Sequence, residues 1–295
     1  MAEIRSVFRW LSMSLTLAAA FGVAGCGQVR APVPGAGDDG PVRRSAPVRP
    51  VTDPRLLALR VIAQQPGWPG VRPVIAPAAR SMPCGRMKCV ALTFDDGPFS
   101  YTGAVLDALA RHRARATFFV VGQMVEPATV PYLRRMASEG HEIGNHSWDH
   151  PSLTGLGPDA VRGQLARTQE AVFAATGVTM SLMRPPYGAT DARVGEQARR
   201  TGLAQILWDL DTLDWRDRDT SLIVRRASAA RPGSVVLMHD IHPTTAAAVP
   251  RLLDELAARG YTFVTVSELY GPRGLAAGAR YSGRAEERAP QAARF

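Results

Sequence analysis

At 295 residues, with 46% hydrophobic and 21% charged side chains, the chain has room for one sizeable domain plus extensions, and its balance is that of a globular protein rather than a disordered or fibrous one. The formal net charge of +9 comes almost wholly from arginines scattered along the chain. It suits an anionic neighbourhood such as nucleic acid, anionic lipid or an acidic cell wall, but no zinc-finger, RNA-binding or helix-turn-helix signature accompanies it, and no nucleic-acid partner is expected.

The first 26 residues, MAEIRSVFRWLSMSLTLAAAFGVAGC, place Arg5 and Arg9 ahead of an uncharged apolar stretch from about Leu11 to Ala24. That is the layout of a secretory signal peptide, too short to span a bilayer comfortably. It ends in Val23-Ala24-Gly25-Cys26, which resembles the bacterial lipobox, in which the cysteine is acylated and becomes the first mature residue. An ordinary signal with an incidental cysteine is the competing reading. Residues 1–25 are therefore expected to be a lipoprotein signal and Cys26 the lipidation site. Acyl chains would hold the exported protein on a membrane surface, facing the cell wall, with no spanning helix.

Residues 26–80 are rich in Pro, Gly and Arg and show no sustained periodicity, so they read as a tether. RLLALRVIAQQ, 55–65, is expected to form a short helix of no assigned function. Cys84 and Cys89, in CGRMKC, read as a disulfide in an exported protein; a metal pair is the poorer alternative, with four intervening residues and no nearby histidine.

From Lys88 onward, apolar strand-like runs alternate with amphipathic helical ones. The strands are expected in CVALTF (89–94), ATFFVV (116–121), HEIGN (141–145), MSLMR (180–184), QILWDL (205–210), SVVLMH (234–239) and TFVTV (262–266). The helices are expected in 102–113, 130–140, 158–177, 191–202, 220–230 and 245–260, several closing on Gly140, Gly177, Gly202 or Gly260. Alternation of this kind implies an α/β fold with parallel strands. Seven strands fit either an open doubly wound sheet or a barrel, and the pattern does not choose. The domain is placed at 81–272, with 273–295 as a disordered tail. A monomer is expected.

In parallel α/β folds the carboxyl ends of the strands carry the site. The first strand end delivers Asp95-Asp96-Gly97-Pro98 and the third NHSWDH, with His146 and His150. The fourth delivers RPPYG, Arg184 to Gly188, the fifth DTLDW, Asp211 to Trp215, and the sixth His239-Asp240. Taken alone, Asp, Gly and Pro are ordinary turn residues, and a histidine pair is ordinary surface chemistry. Five strand ends converging on one face are a constellation. His146 and His150, four apart and set on one side of a helical turn, make with one Asp of the first strand end a His-His-carboxylate set that leaves positions open for water and substrate.

TFDDGP, HSWDH, RPPYG, DTLDW and LMHD, in that order, resemble the five motifs of the polysaccharide deacetylases with a NodB-homology domain, carbohydrate esterase family 4. The resemblance covers roughly 88–269. It implies a distorted (β/α) barrel of about seven parallel strands and one divalent metal ion, zinc first, with cobalt, nickel or manganese as alternatives. It implies Asp96, His146 and His150 as metal ligands and Asp95 as general base. Arg184 would pair with Asp95, His239 would be the general acid, and Asp214 would orient it and raise its pKa. The Tyr187 backbone N–H would face the oxyanion, while Trp215 and Leu237 would wall the acetyl pocket, with core packing the competing reading for Leu237. The activity implied is N-deacetylation of amino sugars in a β-1,4-linked glycan. Peptidoglycan comes first and chitin oligomers second; de-esterification of O-acetylated xylan and a non-catalytic wall-binding lipoprotein are the alternatives.

Overall fold

The computed structural model describes residues 73–271 and 274–284; the signal segment, Cys26 and the helix expected at 55–65 lie outside the described residues. Among the described residues no helix is long and apolar enough to cross a membrane.

The central strand β1 (Cys89–Asp95) is buried along its whole length. A strand with no exposed face needs neighbours on both edges and cover on both sides. It pairs in parallel with β2 (Thr117–Val120) and β7 (Val235–His239), and its first residues pair with β8 (Thr262–Phe263). With β3 (Glu142–Asn145), β4 (Leu182–Met183), β5 (Ala204–Ile206), β6 (Leu210–Asp211) and β9 (Arg280–Tyr281), the order is β6-β7-β1-β2-β3-β4-β5-β9, parallel throughout. β5 and β6 lie toward opposite ends of that order, yet only residues 207–209 separate them in the chain. A peptide gains at most about 3.3–3.6 Å per residue, so the sheet must curl until its ends approach. An antiparallel bridge, Ser234 to Gly283, and the Arg284 N–H on the Gly233 carbonyl link the two ends. The result is a distorted barrel of parallel strands.

All six expected helices form: α1 (Thr102–Arg111), α2 (Val130–Ser138), α3 (Pro158–Thr176), α4 (Ala192–Arg200), α6 (Thr220–Ala227) and α7 (Pro243–Ala258), joined by two short ones, α5 (Asp214–Asp217) and α8 (Val266–Tyr270). α3 stops where Gly177 takes φ +78 and its N–H returns to the Phe173 carbonyl at 2.7 Å. The apolar stripes of α1, α2, α3 and α7, through residues such as Leu106, Leu133, Leu165 and Leu252, pack into one core with Phe94 and Phe118 of the barrel.

Four expectations about the fold are corrected. TFVTV is a strand only at Thr262 and Phe263, because Thr265 and Glu268 form a reciprocal capping box that starts α8. QILWDL breaks into β5 and β6 around Trp208. Residues 274–284, expected as disordered tail, fold back: Arg280 and Tyr281 pair with β5, and the Tyr281 ring meets Tyr270 at 5.1 Å. The domain also begins earlier than 81. The Val74 N–H donates to Thr176, and the buried Glu268 carboxylate accepts from both Arg80 (2.7 Å) and Arg115 (2.8 Å).

Cys84 and Cys89 are joined by a disulfide, Cα–Cα 5.4 Å, just ahead of β1. So short a loop restricts the unfolded chain only locally. Replacing both cysteines with serine is expected to cost about 1–3 kcal/mol, read from the urea midpoint, and alkylation of the native oxidised protein should find neither thiol free.

Candidate active site

In a strand, successive side chains point to opposite faces, so neighbouring carboxylates should diverge. Asp96 is the first residue past β1 and takes φ +72. That reversal brings its carboxylate to the same cavity as Asp95, which ends the strand. The turn also depends on Gly97, because any Cβ there would overlap the carboxyl of Asp240. Asp240 is fully buried, accepts from the Thr102 hydroxyl, and has its pKa raised by burial to about 7. Thr102 in turn accepts from the Phe99 N–H at 2.8 Å, which fixes the loop that carries both acids.

The histidines do not sit on a helical turn. His146 continues β3 by donating its N–H to Val120 at 2.9 Å, after which Ser147 (φ +66) and His150 (φ +60) are left-handed. A loop, not a helix, turns the two imidazoles toward each other, 4.9 Å between centroids. His146 Nδ1 donates to the Arg184 carbonyl at 2.7 Å, so its Nε2 keeps a lone pair for the cavity. That Nε2 lies 3.5 Å from Asp96 Oδ1, and His150 Nε2 lies 3.4 Å from the same oxygen.

Asp96, His146 and His150 form the group among the described residues with one ligand atom each, all within 4.8 Å of one another. Asp96 Oδ1 is buried yet accepts no hydrogen bond. Such an oxygen is costly unless a cation satisfies it. Burial opposes ionisation of Asp96, yet the neighbouring imidazoles, His146 foremost and then His239 and His150, hold its carboxyl well below the usual range. Burial and His146 push the His150 pKa down against the pull of Asp96 and Asp95, which favours the neutral, ligating imidazole. The donor set fits one divalent cation.

Asp95 has a different partner. Arg184 is wholly buried; its Nη1 donates to Asp95 Oδ1 at 2.7 Å and to Thr93 Oγ1 at 2.8 Å, and its other nitrogens donate to the Ile206 and Leu207 carbonyls. Burial lowers the pKa of this guanidinium, and the charge and hydrogen bond of Asp95 resist that. The β1–β7 register sets Asp95 beside His239, strands about 4.8 Å apart. His239 Nδ1 donates to Asp214 Oδ1 at 2.8 Å, while the His239 backbone N–H and the Thr245 hydroxyl donate to Oδ2 at 2.7 and 2.6 Å. Burial works against charge on the imidazole, but Asp214, with Asp95 and Asp96 beyond it, raises its pKa to about 9.

These groups line one cavity of about 530 Å³, walled on its apolar side by Pro185, Tyr187, Trp208, Trp215 and Leu237. Leu237 is buried in β7 and also forms part of this wall, so its packing and cavity readings coincide. Tyr187 is 70% exposed and left-handed (φ +61), and its backbone N–H meets no acceptor among the described residues. Among the described residues seven non-glycine ones have positive φ; all but Arg113 lie in the segments that follow β1, β3, β4 and β6, where strain collects at working sites. Sequence reasoning left out Thr93, Thr245 and Trp208. Trp208 was absorbed into an expected strand, and the two threonines carry no local signal. A second cavity, about 460 Å³, lies beside residues 76–81, but its Arg80 and Arg115 are both engaged by Glu268.

The polysaccharide deacetylase family profile matches residues 83–206. The peptidoglycan-N-acetylglucosamine deacetylase PgdA of Listeria monocytogenes serotype 1/2a is 46% identical over 205 residues, 68% of this chain and 42% of the relative. The chitooligosaccharide deacetylase of Rhizobium leguminosarum bv. trifolii is 40% identical over 153 residues, 51% of this chain and 71% of the relative. Among solved structures, a family 4 carbohydrate esterase from Streptomyces lividans, in complex with acetate, superposes with a TM-score of 0.59 at 38% identity, covering 62% of this chain and 95% of that one. The chain belongs to the polysaccharide deacetylase family. It spans less than half the length of its Listeria relative.

Proposed function

We propose that this chain is a metal-dependent hydrolase that removes N-acetyl groups from amino sugars of a β-1,4-linked glycan, peptidoglycan foremost. The observation that carries the reading is the division between two adjacent acids: Asp95 is held by a guanidinium, Asp96 by two imidazoles, and both face one cavity. The names of the Listeria and Rhizobium relatives support the substrate class.

A cation held by Asp96, His146 and His150 supplies acidification of a water and polarisation of the acetyl carbonyl. Two histidines and a carboxylate suit zinc. Arg184 pins Asp95 Oδ1 and leaves Oδ2, 3.6 Å from His146 Nε2, to take a proton from the attacking water. The Tyr187 N–H is free to donate to the developing oxyanion. Trp208, Trp215 and Leu237 give the acetyl methyl an apolar wall. His239, charged and oriented through Nδ1 by Asp214, presents its Nε2 proton to the departing nitrogen. The test is acetate release from chitotetraose and from purified peptidoglycan with zinc added; release from acetylated xylan alone, or from none of the three, would overturn the reading.

The location is part of the same proposal. Acylation of Cys26 would place the domain on the outer side of the membrane at the end of a tether. Cys26→Ser is expected to leave the protein unprocessed or release it from membranes, as read by detergent partitioning and by the mass of the mature N-terminus. An unmodified N-terminus downstream of position 26 would contradict it.

A further inference from the structure

Among the described residues five large hydrophobic side chains are exposed: Ile75, Phe99, Tyr101, Tyr187 and Trp215. The four aromatic ones all lie in the segments that follow β1, β4 and β6, Trp215 within the short α5, on the face that carries the two acids. Tyr187 and Trp215 line the cavity. Phe99 and Tyr101 do not. They stand against each other, ring centroids 6.3 Å apart, at 41% and 37% exposure. Exposed aromatic area gathered on one face marks a recognition surface.

This pair is built on rigid backbone. The Phe99 N–H donates to Thr102 Oγ1, the Thr102 N–H returns to the Phe99 carbonyl at 3.0 Å, and the Thr102 hydroxyl rests on the buried Asp240. The rings are therefore presented with their backbone already ordered, which lowers the entropic cost of binding. The pair is also continuous with the site. Phe99 follows Asp96 by three residues, so their Cα atoms are at most about 11 Å apart. Neither ring carries a charge, so the surface suits a neutral partner with an apolar face. A pyranose ring is such a partner, its axial C–H groups stacking on an aromatic face.

Resting on the deacetylase reading above, we infer that Phe99 and Tyr101 form a subsite for a neighbouring sugar ring of the same glycan chain, so that the protein engages a run of sugars rather than a single residue. The experiment compares wild type, Phe99→Ala, Tyr101→Ala, the double variant and Phe99→Trp on N-acetylated chito-oligomers from dimer to hexamer, and on 4-nitrophenyl acetate. Wild-type kcat/KM should rise with chain length. The double variant should lose about tenfold on the hexamer, through KM, as expected for truncating a stacked aromatic contact. Turnover of 4-nitrophenyl acetate should stay unchanged, and Phe99→Trp should retain the length preference. Equal loss on hexamer and ester would make the rings structural, and no loss at any length would remove the subsite; either overturns the inference. So would a wild-type dimer, by light scattering, that the double variant abolishes, because the rings would then belong to a contact between copies. Hexamer binding is also measured by calorimetry. Ring-dependent, length-dependent binding without any acetate release would keep the subsite and refute the deacetylase reading. Acetate release with no length dependence would do the reverse.

Discussion

Asp95→Asn is expected to cut turnover by ~10²–10⁴-fold while leaving the metal bound. The amide cannot accept the proton from water, but Asp96, His146 and His150 still offer three ligand atoms within 4.8 Å. Asp96→Asn should behave differently. It removes the charged oxygen on which both imidazole Nε2 atoms converge, so metal affinity should fall first, and excess metal should restore part of the activity. The two changes are chemically identical and one residue apart, which removes most trivial explanations. The measurement is metal content by elemental analysis beside kcat at titrated metal. Loss of metal from Asp95→Asn with retention by Asp96→Asn would reverse the assigned roles. Stability adds a second readout: Asn at position 95 leaves the fully buried Arg184 facing a neutral partner, so this variant should also be the less stable of the two.

Much of this arrangement was legible because parallel α/β folds place strand ends on one face, and the residues at those ends carry chemistry in their types alone. The pairing of Asp95 with Arg184 and of His239 with Asp214 follows from the family resemblance, while the register of β1 against β7 sets Asp95 beside His239. What was not legible depends on backbone reversals and on contacts distant in sequence. Nothing in HSWDH announces that Ser147 and His150 are left-handed, so spacing alone suggested a helical turn. The Arg184 carbonyl that orients His146 is a main-chain atom and leaves no mark on the residue type. Arg80 and Glu268 lie 188 positions apart, so the true lower edge of the domain could not be drawn from local composition. α8 is a different kind of miss. Thr265-Val266-Ser267-Glu268 is a readable capping box, but the apolar run before it favoured a strand. β9 contributes two residues to the sheet, too few for any periodicity.

Asp214→Asn is expected to move the alkaline limb of the pH–rate profile to lower pH and to lower activity steeply at pH 8. Three donors converge on the Asp214 carboxylate: the His239 Nδ1–H, the His239 backbone N–H and the Thr245 hydroxyl. An amide keeps one accepting oxygen and sets an N–H against one of these donors, so it both releases the imidazole and withdraws the charge that raises its pKa to about 9. Burial, which lowers that pKa, is then unopposed by Asp214, and His239 falls back towards its ordinary 6.5 or below. At pH 8 the protonated share would drop from about nine-tenths to about one-thirtieth, and loss of orientation adds to this, for a total of ~10²–10⁴-fold. A cation on Asp96 cancels part of the attraction from the metal-side acids, so the loaded enzyme's limb lies below 9; the displacement between wild type and variant is the quantity to read. Stability should follow the same linkage. A histidine whose folded pKa exceeds its unfolded value contributes fully below about 6.5 and loses that contribution as pH rises through about 9. The difference in Tm between wild type and Asp214→Asn should therefore be widest near pH 6 and narrow above pH 9. An unmoved alkaline limb, with kcat reduced equally at every pH, would mean that Asp214 only holds the ring in place and that some other group donates the proton.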